Sequence, residues 1–519
     1  MNICAHTLRI VPFADEYWWG GVVALGSRMP YLHPLNEIDL SRDGYNNQLV
    51  PLLLSSKGRY VWSDRPFRFT VGEQRELILT SDTEPLSVTV GGKTLRDAYL
   101  HACHQHFPPS GALPDTLFFS MPQYNTWIEL MYNQNQADIL KYARGIADNN
   151  FPKGVLMIDD NWQKYYGNFD FKPERFADPK GMVDELHAMG FKIMLWVCPF
   201  VSPDSPEYRE LNSKGYLLRD RQGGAAVIQW WNGQSACYDL TNPDAAAYLT
   251  ARLKELQQTY GIDGFKFDAG DPNFYDSPNL ISFRKDATSV DHSEAWAKIG
   301  LAFPFNEYRA CWRMGGQALV QRLGDKNNDW KAVQSLIPDM LAAGLLGYAY
   351  TCPDMIGGGQ YASFVHADPA RMDQELIVRS AQVHALMPMM QFSVAPWRVL
   401  DSKHLAILRN MARLHEQMGG YIIKLARLAA KTGEPIVRHL EYAFPGQGFT
   451  NCVDQFMLGD RYLVTPMLKS GTSRTIILPT GIWRDERGKT YRGGRTYSID
   501  VPINRLPYFE RLEKRVSTK

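Results

Sequence analysis

The chain has 519 residues, 45% of them hydrophobic and 21% charged, a balance that supports several cores and a prior of three or four domains. Its 56 lysines and arginines nearly cancel its 55 aspartates and glutamates, so it lacks the electrostatic footprint of a partner for nucleic acid or an anionic membrane. The seven cysteines, Cys4 among them, are scattered, odd in number and without a CxxC spacing, which argues against a disulfide framework and against a zinc site.

No stretch approaches the ~18 apolar residues of a membrane span. The first twelve residues lack a charged leader followed by an apolar core, so a cytoplasmic setting is expected, although a chain whose leader had been removed would read the same. Residues 1–117 hold short β-type runs broken by turns, at 8–12, 59–63, 67–71, 76–80 and 86–90, and are expected to form a β-sandwich. Trp18-Trp19-Gly20-Gly21 in this region is read either as core packing or as a segment reaching over the neighbouring domain. A helix is predicted over 94–106, stopped by Pro108-Pro109. Its His101 and His104 share a face, but no further ligand accompanies them.

From about residue 118 the pattern changes. An apolar run at 154–159 ends in acids, a helical spacing at 181–189 stops at Gly190, and 191–197 is a continuous apolar strand. A helix opens at Asn242-Pro243-Asp244, where Asn can cap, Pro fits the first turn and Asp suits the positive end of the dipole. It ends near Gly261, and the next strand is 264–268. Alternating apolar strands and helices predict a parallel sheet covered by helices. Acids at strand C-termini, Asp159-Asp160 and Asp268, favour a closed (β/α)8 barrel over an open sheet, because those ends converge on one face in a barrel. The barrel is assigned to 118–432, closing with a helix-rich stretch at 404–430. A C-terminal β domain, 433–519, is expected to hold strands at 455–458, 462–466, 475–478 and 505–509.

Two carboxylates stand out. Asp268 closes the aromatic strand Gly264-Phe265-Lys266-Phe267, and strand alternation puts Lys266 on its face. A buried, unpaired carboxylate there would cost several kcal/mol, so it is either a loop cap paired with Lys266 or a reactive group. Asp325, in Gln321-Arg322-Leu323-Gly324-Asp325, is presented from a turn that Gly324 permits; taken alone, such a Gly-Asp turn is usually structural. Together they suit a glycosidase pair, one attacking the anomeric carbon and the other serving as acid and then base.

With these motifs in this order, the chain resembles glycoside hydrolase family 31 along nearly its whole length. The resemblance implies that Asp268 is the nucleophile and Asp325 the acid/base. It implies that Arg309, after Tyr308, contacts the sugar near the reacting carbon, that Trp231 is a pocket wall, and that Asp160 binds remote hydroxyls. Asp354, in Cys352-Pro353-Asp354, falls where the family supports its pocket, and 454–459 resembles its second β domain. Ala269-Gly270-Asp271 replaces the Met-Asn-Glu type of run usual in the family's α-glucosidases. Cys198 and Ser393 stand where those enzymes carry a hydroxyl-binding aspartate and a histidine. These departures look most like the myogenesis-regulating-glycosidase branch, which implies α-galactosidase activity. Asp159-Asp160-Asn161-Trp162 and the Lys-x-Asp strand are also similar to α-galactosidases of neighbouring families. The expected partner is therefore a small or oligomeric substrate with a terminal α-linked sugar, bound by Asp160, Trp231, Lys266, Arg309, Asp354, Cys198 and Ser393, with no metal or organic cofactor. Self-association into a homo-oligomer stays open. The rival readings are an α-glucosidase, α-xylosidase or sulfosugar glycosidase of the same mechanism, and a non-catalytic sugar-binding relative.

Overall fold

A computed structural model describes residues 5–42 and 44–512; Cys4 lies outside them. Eight strands form one all-parallel sheet. In chain order they are Gln123–Asn125, Val155–Ile158, Lys192–Val197, Gly264–Phe267, Phe305–Tyr308, Gln321–Arg322, Thr351–Cys352 and Gln391–Phe392. Strand eight pairs with strand one, and a parallel bridge from Met355, just after strand seven, to Gln391 closes the circle. The result is the expected (β/α)8, or TIM, barrel.

The crossover helices obey their local signals. Asn242 accepts the amide of Asp244, Pro243 occupies the first turn, and Gly261 ends the helix Pro243–Tyr260 at φ 80°, a left-handed position that glycine takes without a Cβ penalty. Leu249, Leu253 and Leu256 form its buried stripe. The 31-residue helix Ser402–Thr432 packs against the helices Gln374–Ala385 and Leu117–Ser120. Strands five and six are joined by a helix-free loop. The N-terminal domain covers this loop: Leu49 and Trp312 form a bridge, and the amide of Ser110 bonds to the carbonyl of Gly316 at 2.9 Å.

That N-terminal domain is two four-stranded antiparallel sheets. Trp18 and Trp19 are almost wholly buried; their strand packs against the barrel helix Trp330–Leu345 and the Trp19 ring lies 5.7 Å from that of His439, so they pack between domains and do not line the pocket. The C-terminal domain has a six-stranded antiparallel sheet and a two-stranded antiparallel sheet, Ser473–Leu478 with Arg495–Asp500, around a hydrophobic cluster of its own. Its last strand among the described residues is Tyr508–Leu512, starting three residues later than the sequence suggested, because Pro507 has no amide for the ladder. Among the described residues no helix is long and apolar enough to cross a membrane.

Candidate active site

A pocket of about 330 Å³ opens where the strands' C-terminal ends converge. Asp268, at the end of strand four, and Asp325, after strand six, both line it. The Asp268 carboxylate is held on both oxygens: Trp196 donates its Nε1 to Oδ2 at 2.9 Å, while Arg309 Nε and the Ala269 amide reach Oδ1 at 3.0 and 2.9 Å. Burial works to raise its pKa, but the charges of Arg309 and Lys266 and the Trp196 hydrogen bond overcome it. The carboxyl is held well below its usual range and is ionised at neutral pH, as an attacking group must be.

Arg309 is itself anchored. Its two terminal nitrogens reach Asp271 at 3.2 and 2.9 Å, and one also reaches the carbonyl of Asn46 at 3.2 Å. The turn after Asp268 makes this possible: Ala269 (φ 57°) and Gly270 (φ 80°) are both left-handed, so the chain doubles back and returns Asp271 to the same guanidinium. Trp231 and Asn232 form the two-residue turn of the hairpin Ile228–Trp230/Gly233–Cys237. The turn sets the Trp231 ring 5.4 Å from the Arg309 guanidinium, half-exposed as a pocket wall, and lets Asn232 donate to Asp160 at 2.6 Å.

Lys266 lines the pocket and pairs with Asp159 at 2.6 Å. Burial opposes its charge most, but Asp159, Asp268 and Asp325 together outweigh it and its pKa rises. Asp160 accepts from Asn232 and from the Tyr166 hydroxyl at 3.1 Å. Burial first, and Asp159 second, push its pKa up to about 7.

Asp325 is about a third exposed. Its Oδ1 accepts from Arg322 at 2.8 Å, and Oδ2 has no hydrogen-bond partner among the described residues. Three residues of the predicted site lie behind the pocket wall, which corrects the expectation that they touch the sugar. Asp354 is fully buried and spent on Arg322, the Lys326 amide and the Gly359 amide at 2.7, 2.7 and 3.0 Å. Ser393 accepts the Ile128 amide at 2.7 Å. Cys198 is 1% exposed, with its thiol pushed up by burial. Asp329, four residues after Asp325, is spent as the cap of helix Trp330–Leu345.

Several pocket residues escaped the sequence reading. Trp127 and Tyr132 follow strand one, Trp196 lies in strand three, Gln360 and Tyr361 follow strand seven, and Asn46 comes from the N-terminal domain. Asp159 was visible in the Asp159-Asp160 run; the others carry no local signal.

Residues 118–425 match the sequence profile of the glycosyl hydrolases family 31 TIM-barrel domain, and 433–514 that of the family's C-terminal domain. The myogenesis-regulating glycosidase of Mus musculus is 30% identical over 427 residues, covering 80% of this chain and 59% of the relative. The alpha-xylosidase XylQ of Lactiplantibacillus pentosus is 25% identical, covering 88% of this chain and 61% of the relative. The chain thus spans about three fifths of the length of these relatives. A Flavobacterium johnsoniae GH31 dextranase complexed with glucose superposes with a TM-score of 0.84 at 21% identity, over 98% of this chain and 66% of that one. A soil-metagenome GH31 alpha-xylosidase complexed with xylose gives 0.82 at 22%, over 99% and 80%. With its barrel and C-terminal domain both matched, the chain belongs to glycosyl hydrolase family 31.

Proposed function

We propose that the chain is a retaining, exo-acting α-glycosidase whose preferred terminal sugar is α-galactose. The observation that carries the reading is the shared pocket of Asp268 and Asp325, in which Asp268 is held ionised by Arg309, Lys266 and Trp196. Asp268 attacks the anomeric carbon and forms a glycosyl ester as Asp325 protonates the departing oxygen. Asp325 then takes a proton from water, which releases the sugar and restores Asp268. The ion pair Lys266–Asp159 and the buried Asp160 give the pocket a polar lining suited to sugar hydroxyls, which favours a terminal sugar entering end-on.

Galactose and glucose differ in the direction of one hydroxyl. A site that bonds one orientation leaves buried groups unpaired with the other, at roughly 1–3 kcal/mol each. One or two such mismatches amount to on the order of ten- to several-thousand-fold. With Cys198 and Ser393 behind the wall, the polar contacts fall to Asp159, Asp160 and Lys266. The test is a set of α-galactoside, α-glucoside and α-xyloside substrates with one common aryl aglycone, and NMR of the first-formed sugar. The expected result is an α-configured product and a kcat/KM for the galactoside at least about tenfold above the others. A galactoside-to-glucoside ratio of one or below replaces galactose with glucose, a xyloside that outruns both replaces it with xylose, and a β-configured product refutes retention.

A further inference from the structure

Arg322 lies in strand six, three residues before Asp325, and is 1% exposed. One terminal nitrogen donates to Asp325 Oδ1 at 2.8 Å, to Asp354 Oδ1 at 2.7 Å and to the Leu323 carbonyl at 3.0 Å. Its Nε lies 3.4 Å from Oε1 of Glu307 in strand five. Glu307, equally buried, accepts on Oε2 from Gln391 of strand eight at 2.7 Å, and Gln391 in turn donates to Gln123 of strand one at 2.9 Å. A barrel interior is ordinarily filled with branched apolar side chains. Here a polar frame crosses it and ends on the acid/base carboxylate.

A guanidinium is always charged, planar and a donor only. Oδ1 of Asp325 is therefore occupied by a group that cannot take a proton from it, and the mobile proton is confined to Oδ2, which no described residue engages. We propose that Arg322 is the positioning residue of the acid/base: it fixes which Asp325 oxygen carries the proton, with Glu307 as the counter-anion that offsets its charge. Asp354 belongs to the same device, since it shares the Arg322 nitrogen and holds the amide of Lys326, the residue after Asp325. Gly359 completes it from the other side. A Cβ there would come within 2.9 Å of Asp354 Oδ1 and 3.0 Å of Asp325 Oδ1, so only glycine leaves the two carboxylates in place.

The inference rests on Asp325 being the acid/base, and the experiment separates the two. The charged groups around Arg322 and Asp325 are Asp354, Glu307 from strand five, Lys266 from strand four, and Asp268 and Arg309 just after those strands. Removing Arg322 removes a cation that favours ionised Asp325; removing the charge of Glu307 does the reverse. The measurements are kcat/KM for an alkyl glycoside and a dinitrophenyl glycoside, and the pH profile of each, in Arg322→Met, Arg322→Lys, Glu307→Gln and Asp325→Ala. Arg322→Met should lose about 100-fold or more on the alkyl glycoside and about tenfold or less on the dinitrophenyl glycoside. Its basic limb should rise by about one pH unit or more, and Arg322→Lys should recover part of both. Glu307→Gln should lower the basic limb, and it answers the question if Arg322→Met fails to fold. Equal losses on both substrates with an unmoved limb, or an unmoved limb in Glu307→Gln, overturn the proposal. If Asp325→Ala itself shows no leaving-group selectivity, the acid/base assignment fails instead.

Discussion

At the scale of single residues, two carboxylates in one pocket are driven in opposite directions. Asp268 meets two cations and an indole N–H, whereas Asp160 meets burial, a neighbouring carboxylate and only neutral donors. The first difference predicts chemistry. Asp268→Asn should keep the fold but lower kcat by more than about 10³-fold, because an amide cannot form the glycosyl ester, and a fluorinated sugar should label Asp268 in the wild type; a variant keeping a tenth of wild-type kcat sinks the assignment. The second difference predicts pH dependence. With its pKa near 7, Asp160 is protonated below that pH and loses acceptor capacity, so kcat/KM should fall as pH drops through about 7. Asp268 cannot cause this fall, since its carboxyl stays ionised far below that range. In Asp160→Asn, kcat/KM should be lower at every pH, with the acidic limb displaced to lower pH; a limb left in place would assign it to another group.

At the scale of elements, legibility followed length and local chemistry. Helix Pro243–Tyr260 could be read because its cap, its proline and its terminal glycine all lie within its own sequence. Strand Gly264–Phe267 could be read because an apolar run there ends in an acid. The two-residue strands Gln321–Arg322, Thr351–Cys352 and Gln391–Phe392 were invisible, since two residues carry no periodicity and several of theirs point polar groups into the barrel. The same split holds for the site. Asp268, Asp325, Arg309 and Trp231 carried motif signals, whereas Asn46, Trp127 and Tyr361 reach the pocket only through tertiary packing. The turn after strand four was legible as Ala-Gly-Asp but not as a device that returns Asp271 to Arg309. Its demand on Gly270 can be tested. A side chain there meets left-handed backbone, about 1–2 kcal/mol, and overlaps the Trp296 ring behind it, about 1–3 kcal/mol more. Gly270→Ala should therefore lower Tm and also kcat/KM, since Arg309 loses its anchor. A lowered Tm with unchanged kcat/KM would show that Asp271 does not position Arg309.

At the scale of the whole molecule, the barrel does not complete its own active site. The segment 46–49 of the N-terminal domain enters where strands five and six lack a crossover helix. The Asn46 carbonyl accepts from Arg309 at 3.2 Å, and Gln48 Nε2 donates to the Arg309 carbonyl at 2.7 Å and to Gln321 Oε1 at 2.8 Å. Gln48 is fully buried, so its amide locks the backbone of Arg309 to the strand that leads to Asp325. Gln48→Ala leaves the Arg309 carbonyl and the Gln321 side chain without this donor, at about 1–3 kcal/mol of stability. If the lock also positions Arg309, kcat/KM should fall about tenfold or more, because a misplacement of ~1 Å away from the chemistry can cost ~10²-fold. Arg309 holds the carboxylate of Asp268 and not that of Asp325, so alkyl and dinitrophenyl glycosides should suffer alike, unlike the selective loss expected for Arg322→Met. Thermal melts paired with kinetics on both substrates decide the matter. A lower Tm with intact kcat/KM would make the N-terminal domain a brace for the barrel alone, and a matched loss on both substrates makes it a part of the catalytic unit.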